Sequence, residues 1–234
     1  FLGSNCWIYP VSDPVNGGSP RFETKHMTVS AGAGMNADSA GLIGRYNAAG
    51  YGPGAGMANG TGGGYGGQGG LPPFSGAGGT PYGSSNAPVD CGSAGAGQNN
   101  ASGAKAAGSI QIVASGDMRL EGTLRAVGGD GPPYCGGGSG GGIYITCKKF
   151  IGAPSGALIA NGGALQMPIP YWGCGGGGGR IAVWRVTDIN GRGVVTATAT
   201  GGVGSDGAAP AYNGADGTIV WGWLRPGGTV LLVQ

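Results

Sequence analysis

The sequence predicts an all-β protein, a glycine-rich parallel β-solenoid or β-helix with polyglycine-rich loops. Three observations predict it. Glycine supplies 60 of 234 residues but is gathered into runs. Between the runs lie short stretches of alternating apolar residues, the period-2 mark of strands with one buried face. The order cysteine, glycine run, strand is also written three times, from Cys135 to Ile143, from Cys174 to Ile181, and from Cys91 to Ile110 after a longer insert. Self-similarity at a fixed period marks repeat architectures, whose stacked copies bury faces that one copy cannot bury alone. A β-sandwich of antiparallel hairpins is the alternative, because short strands with turn signals every dozen residues also read that way.

Taken in chain order, residues 1–27 read as an N-terminal segment and assembly arm, 28–107 as a glycine-rich capping unit with a long loop, and 108–234 as repeats of about 33–38 residues. Phe1–Tyr9 is apolar but lacks the basic start and long apolar middle of a signal peptide. The chain reads as a mature or excised segment of something longer. His26–Val29 followed by Met35–Asp38 reads as a degenerate strand pair. Residues 50–86 are almost strandless around Gly62–Gly70, and a loop that long is unusual in a compact domain. Tyr51, Tyr65, Phe74 and Tyr82 offer anchors, so an ordered glycine layer is expected there.

The repeats align on Ile110, Ile143, Ile181 and Ile219, which lie 33, 38 and 38 residues apart. A second strand is expected in each, at Gly122-Thr-Leu124, Gly156-Ala-Leu158, Gly193-Val-Val195 and Gly228-Thr-Val230. Glycine pairs follow at Gly128-Gly129, Gly162-Gly163 and Gly201-Gly202. Alternation turns Ile143 and Ile145 one way and Tyr144 and Thr146 the other. In-register stacking would set equivalent strands about 4.8 Å apart. Cys135 and Cys174 would then fall within disulfide reach, with Cys91 at the same place one copy earlier.

Composition narrows the functional classes. Sixty glycines and 15 prolines suggest low complexity, yet 40% of residues are hydrophobic, 9% are charged and the net charge is +2, which does not fit disorder. No strict Gly-X-Y period supports collagen. Each ordered residue costs roughly 1–2 kcal/mol of backbone entropy, so the glycines need backbone hydrogen bonds and close packing, with polyproline-II-like runs lying on a β core. Scattered Lys and Arg give no case for nucleic acid, and no stretch is apolar enough to span a membrane. Five cysteines, Cys6, Cys91, Cys135, Cys147 and Cys174, favour an oxidising compartment and are candidate disulfide partners, at least one left free or joined to another chain. Asn59-Gly-Thr61 and Asn100-Ala-Ser102 fit the glycosylation sequon.

The stretches Pro81–Ser93, Gly140–Thr146, Ala160–Gly163, Gly175–Val183 and Gly217–Ile219, in that order, resemble glycine-rich repeat regions of large secreted or surface-exposed bacterial proteins. The resemblance runs from about residue 28 to 222. It implies an extracellular, structural or adhesive role on a β-solenoid and carries over no catalytic residue. The cysteines depart from the small or apolar residues expected at their places.

No enzyme or cofactor is expected. The lone His26, with Asp38 and Asp90, lacks a Gly-x-Ser-x-Gly elbow around any nucleophile. No Cys-x-x-Cys supports a metal site. Gly201-Gly-Val-Gly-Ser-Asp206-Gly-Ala-Ala matches the calcium nonapeptide of β-rolls, but as a single copy with Ala208 where a large apolar residue is needed. Asp117 and Glu121 are the closest carboxylate pair, favoured as a solvated turn pair over a glycosidase pair. Thr196, Thr198 and Thr200 form a threonine row on one unit only.

Assembly is the functional expectation. The apolar start, with Phe1, Leu2, Trp7 and Ile8, and the apolar end, with Val230, Leu231, Leu232 and Val233, are candidate assembly segments. Open strand edges invite pairing, and head-to-tail contacts that do not close give filaments. The expected protein is an extracellular or cell-surface structural subunit, a polymer of itself joined by strand pairing and disulfides, with cell-surface glycans as further partners. The alternative is a carbohydrate-binding or polysaccharide-cleaving β-helix.

Overall fold

A computed structural model of the chain describes residues 1–72, 77–166, 172–205 and 212–225. It is all-β, with no α-helix among the described residues. The strands are β1 (Trp7–Ile8), β2 (Arg21–Thr24), β3 (Met27–Val29), β4 (Gly34–Asn36), β5 (Ser109–Leu120), β6 (Thr123–Arg125), β7 (Gly142–Gly152), β8 (Ala157–Ile159), β9 (Arg180–Ile189), β10 (Thr196–Thr198) and β11 (Thr218–Trp223). They form two sheets. The long-strand sheet runs β11-β9-β7-β5-β2, with β3 also on β5; the short-strand sheet runs β1-β4-β6-β8-β10. Every pairing between these strands is parallel, so the antiparallel hairpins of the sandwich alternative are not found.

The isoleucine alignment holds in register. Ile110 pairs with Ile143, Ile143 with Ile181, and Ile181 with Ile219. Alternation decides which face is buried: Ile110, Ile112, Ile143, Ile145, Ile181 and Val183 point inward and meet Leu124 and Leu158 from the other sheet. Leu124 pairs with Leu158 as expected, but Leu158 pairs with Ala197, not with Val195. The expected strand at Gly193-Val-Val195 is therefore displaced to Thr196–Thr198. The turn before it consumes the extra residues: Asp188 Oδ1 accepts the Gly191 N–H, Asn190 takes φ +54° and Gly193 takes φ +87°. The fourth expected strand, Gly228-Thr-Val230, lies outside the described residues.

Beyond the strands the same two sides of each unit continue as glycine runs. Residues 135–141 enter β7, and residues 160–165 leave β8. With no side chains to hold them apart, facing runs bond directly, as in Gly163 N–H to Gly138 O at 2.9 Å, whereas packed sheets stand about 10 Å apart. Partners recur every third residue. Gly136 and Ser139 donate to Ala96 and Ser93; Gly137 and Gly140 donate to Cys174 and Gly177; Gly138 and Gly141 donate to Gly129 and Ala126. Three residues per turn is the polyproline II period. Run 135–141 thus donates to three neighbouring segments and accepts from others, among them Gly63, Ala104 and Gly163, and the backbone satisfaction expected to offset glycine ordering is present.

Residues 50–72 and 77–97 add further runs on this bundle. Gly63 donates to Gly137, and Gly177 donates to Gly63. Tyr65 is fully buried and packs at a tilt against Tyr82 with ring centroids 4.9 Å apart, so both serve as anchors. Phe74 lies outside the described residues. The 91–97 run breaks the expected repeat. Gly136 donates to Ala96 and Ser139 to Ser93, so this run is antiparallel to 135–141. Cys91 and Cys135 consequently sit at opposite ends of the bundle, about 19 Å apart at 3.1 Å per residue. That exceeds the roughly 7 Å limit on bridged Cα atoms, so Cys91 is not the in-register copy of Cys135.

Candidate functional site

The chemistry expected from single residues is dispersed. His26 Nδ1 accepts the Asp117 N–H, Asp38 binds Arg125 and the Val127 N–H, and Glu121 pairs with Arg119. Asp90 lies elsewhere, beside Gly83 and Tyr65. No triad or carboxylate pair is assembled from these groups. No three His, Cys, Asp or Glu cluster to hold a metal among the described residues. Asp206 and Ala208 of the nonapeptide lie outside them. Thr196 and Thr198 stack on Ala157 and Ile159, so the threonine row does not extend to the next unit. No helix among the described residues is long and apolar enough to cross a membrane.

All five cysteines are free thiols: Cys6 is exposed, and Cys91, Cys135, Cys147 and Cys174 are buried. Cys91 packs with Leu42 and Ala106, Cys135 Sγ meets Gln98, and Cys147 points into the main core. Burial pushes the Cys147 thiol up to about 12, overcoming the opposing pull of Arg185, and takes Cys174 equally far. A raised thiol holds its proton more tightly folded than unfolded, so its stabilising contribution is full below the ordinary pKa of 9.0 and is lost as pH climbs toward 12. Burial raises Tyr65 and Tyr82 as well. The urea midpoint is therefore expected to fall steadily from pH 9 to pH 12, and less steeply in Cys147→Ala/Cys174→Ala. Equal slopes would show that the two thiols titrate freely in the folded chain.

The two sequons come together at the far tip of the glycine bundle. Asn59, Asn47 and Gln98 line one hollow of about 170 Å³, and Asn100 bonds Asn47 at its edge. Asn59 and Asn100 are both exposed. The Asn100 Oδ1 accepts from Tyr46 and Asn47, while Thr61, the hydroxyl of the first sequon, is buried at 1% exposure.

Two buried arginines escaped the sequence reading. Arg180 lies over the Tyr65 ring and donates to the Tyr82 carbonyl and to Thr218, joining a glycine run to the strands. Arg185, 1% exposed, is bound by Asp188 Oδ2 and the Gly222 carbonyl and flanked by Trp221 and Trp223. Alternation carried the signal for Arg185, which shares the inward parity of Ile181 and Val183.

Both ends of the sheets leave apolar side chains exposed. At the N-terminal end, Leu2 bridges to Val29 and β1 pairs with β4, so these segments first close their own chain. Phe1 and Tyr9 remain 85% and 65% exposed. At the other end, β11 pairs with β9 and leaves Ile219 and Trp223 41% and 60% exposed. Val230, Leu231, Leu232 and Val233 lie outside the described residues. No protein-family model matches this chain, and neither a curated protein nor a solved structure matches it.

Proposed function

We propose that this chain is a β-solenoid and an extracellular structural protein, a subunit of a self-assembling filament, appendage or surface layer. The observation that carries this reading is that, among the described residues, both sheets end in parallel strands with exposed apolar side chains and no further strand beyond them, at Trp7 on one end and at Ile219 and Trp223 on the other. Open parallel edges are templates for another chain, and a heterologous contact between unlike ends propagates without closing. Parallel stacking in constant register supports the solenoid, because each unit adds one strand to each sheet. Dense backbone bonding among the glycine runs suits a stiff scaffold. Exposed Cys6 is the thiol placed to cross-link copies, and the Asn59–Asn100 tip is where glycans would be carried.

Concentrated purified protein should form fibres in negative stain. Their diffraction should carry a meridional spacing near 4.8 Å, because the strands lie across the axis. A chain that sediments as a monomer at every concentration, with no fibres on grids, refutes the assembly reading.

A further inference from the structure

The sequence holds five Asn-Gly pairs, beginning at Asn16, Asn59, Asn161, Asn190 and Asn213. In such a pair the backbone nitrogen of the glycine can attack the side-chain Cγ of the asparagine, because glycine has no side chain to hinder the approach. The nitrogen attacks only after it has lost its proton. An N–H that already donates to an acceptor must break that bond first, so hydrogen bonding in the folded chain decides which pair reacts. Four of the pairs are held in this way. Gly17 donates to Asp13 O at 3.0 Å, and the Asn16 side chain is itself bonded to the Asp13 carboxylate. Gly162 donates to Thr200 O at 2.8 Å, while Asn161 Oδ1 accepts the Thr200 N–H at 3.0 Å. Gly191 donates to Asp188 Oδ1 at 2.7 Å. Gly214 donates to Gly202 O at 2.9 Å, while Asn213 Oδ1 accepts the Gly204 N–H at 2.9 Å.

Asn59-Gly60 differs. The Thr61 N–H donates to Ala58 O at 3.1 Å, and Asn59 and Gly60 take φ +51° and +69°, positive at both central positions as in a type I′ turn. The amide between the two central residues takes no part in the bond that closes such a turn. Among the described residues nothing accepts the Gly60 N–H, and the Asn59 side chain has no hydrogen-bond partner. Gly60 is buried, but its close contact with the Tyr134 carbonyl lies where a Cβ would stand and not at the nitrogen. Its own carbonyl accepts the Cys174 N–H at 3.1 Å, so the residue is anchored at that end and unbonded at the other. The Asn59 side chain is exposed on the wall of the tip hollow.

We propose that Asn59 is a site of self-modification, converted in the folded chain to aspartate and isoaspartate ahead of the other four asparagines. The Gly60 nitrogen gives its proton to solvent and bonds to Asn59 Cγ; the bond from Cγ to the side-chain nitrogen breaks, and that nitrogen leaves as ammonia. Water then opens the succinimide at one or the other carbonyl, giving a carboxylate at residue 59. The product places a negative charge in a hollow whose lining residues are all uncharged, and it removes the asparagine of the first sequon. Water is the sole co-reactant, and the step does not depend on assembly.

The test uses the whole chain, produced without glycosylation, held folded at mildly alkaline pH and sampled over time. Peptide mapping by mass spectrometry follows the amide-to-acid mass change at each Asn-Gly pair. Asn59 should convert at least about tenfold faster than each of the other four, which must first give up one or two hydrogen bonds. In concentrated urea, where those bonds are gone, the five rates should converge. On isoelectric focusing the first acidic band to form should be missing from Asn59→Gln, with circular dichroism confirming that this variant keeps its strand signal. A folded chain in which another pair converts first, or in which all five convert at one rate, overturns the proposal. So does an Asn59→Gln chain that forms the same first acidic band at the wild-type rate.

Discussion

Gly176→Ala is expected to destabilise the chain by more than about 3 kcal/mol, the upper end of ordinary overpacking. The Gly176 amide donates to Gly163 O, and the position where a Cβ would stand is filled by the carbonyl oxygen and carbon of Gly138, far inside the 3.0 Å that real Cβ atoms respect. These are backbone atoms of a run whose own amides and carbonyls are bonded to the runs around it. A flexible side chain could rotate away, but this neighbour can yield only by breaking its own bonds. The contrast is Gly108→Ala, where the nearest atom is the Ala40 carbonyl at 3.2 Å. That variant should cost about 1 kcal/mol, an average substitution. Urea titrations of the two variants separate the explanations: equal losses would mean that glycine matters here for something other than the bundle's backbone contacts.

Asp188→Ala is expected to cost about 3–5 kcal/mol, because it leaves a guanidinium buried without its carboxylate. Arg185 is held by Asp188 Oδ2 through Nε at 2.8 Å and Nη2 at 2.5 Å, with side-chain exposures of 1% and 12% for the pair. Trp223 lies 4.2 Å from the guanidinium and Trp221 5.3 Å, so the cation is also held between two rings of the next strand. Desolvation makes such a pair poor evidence of net stabilisation but makes its rupture expensive. Arg185→Met/Asp188→Ala should therefore recover much of the loss. It should not recover all of it, since Asp188 Oδ1 also accepts the Gly191 N–H at 2.7 Å, a bond worth about 1 kcal/mol. A double variant as unstable as Asp188→Ala alone would place the effect in the turn and not in the buried charge.

The stacking of units was legible because side chains encode it. Ile110, Ile143, Ile181 and Ile219 recur at fixed spacing with inward parity, and shifting any of these strands by one residue would turn its apolar set to water. The same rule would have exposed Arg185, whose parity placed a charge in the core. Spacing points to Val195, and the structure places Ala197 there, because alternation cannot be read through a turn containing Gly191 and Gly193, where length is set by backbone conformation. The candidate surfaces were partly legible as well: Phe1, Leu2, Trp7 and Ile8 are apolar in sequence, but only the register shows that Leu2 and β1 pair within the chain.

Alone, the sequence determined an all-β chain, its repeat length, the faces its strands bury and the need for close glycine packing, because each follows from local side-chain pattern or from the absence of side chains. Tertiary structure alone decided how the glycine runs meet: that 91–97 runs antiparallel to 135–141, and that 135–141 donates to three neighbouring segments while accepting from others. The physical reason is that a glycine run presents the same N–H and C=O groups on every face and in both directions. Its partner and polarity are therefore set by where the attached strands carry it.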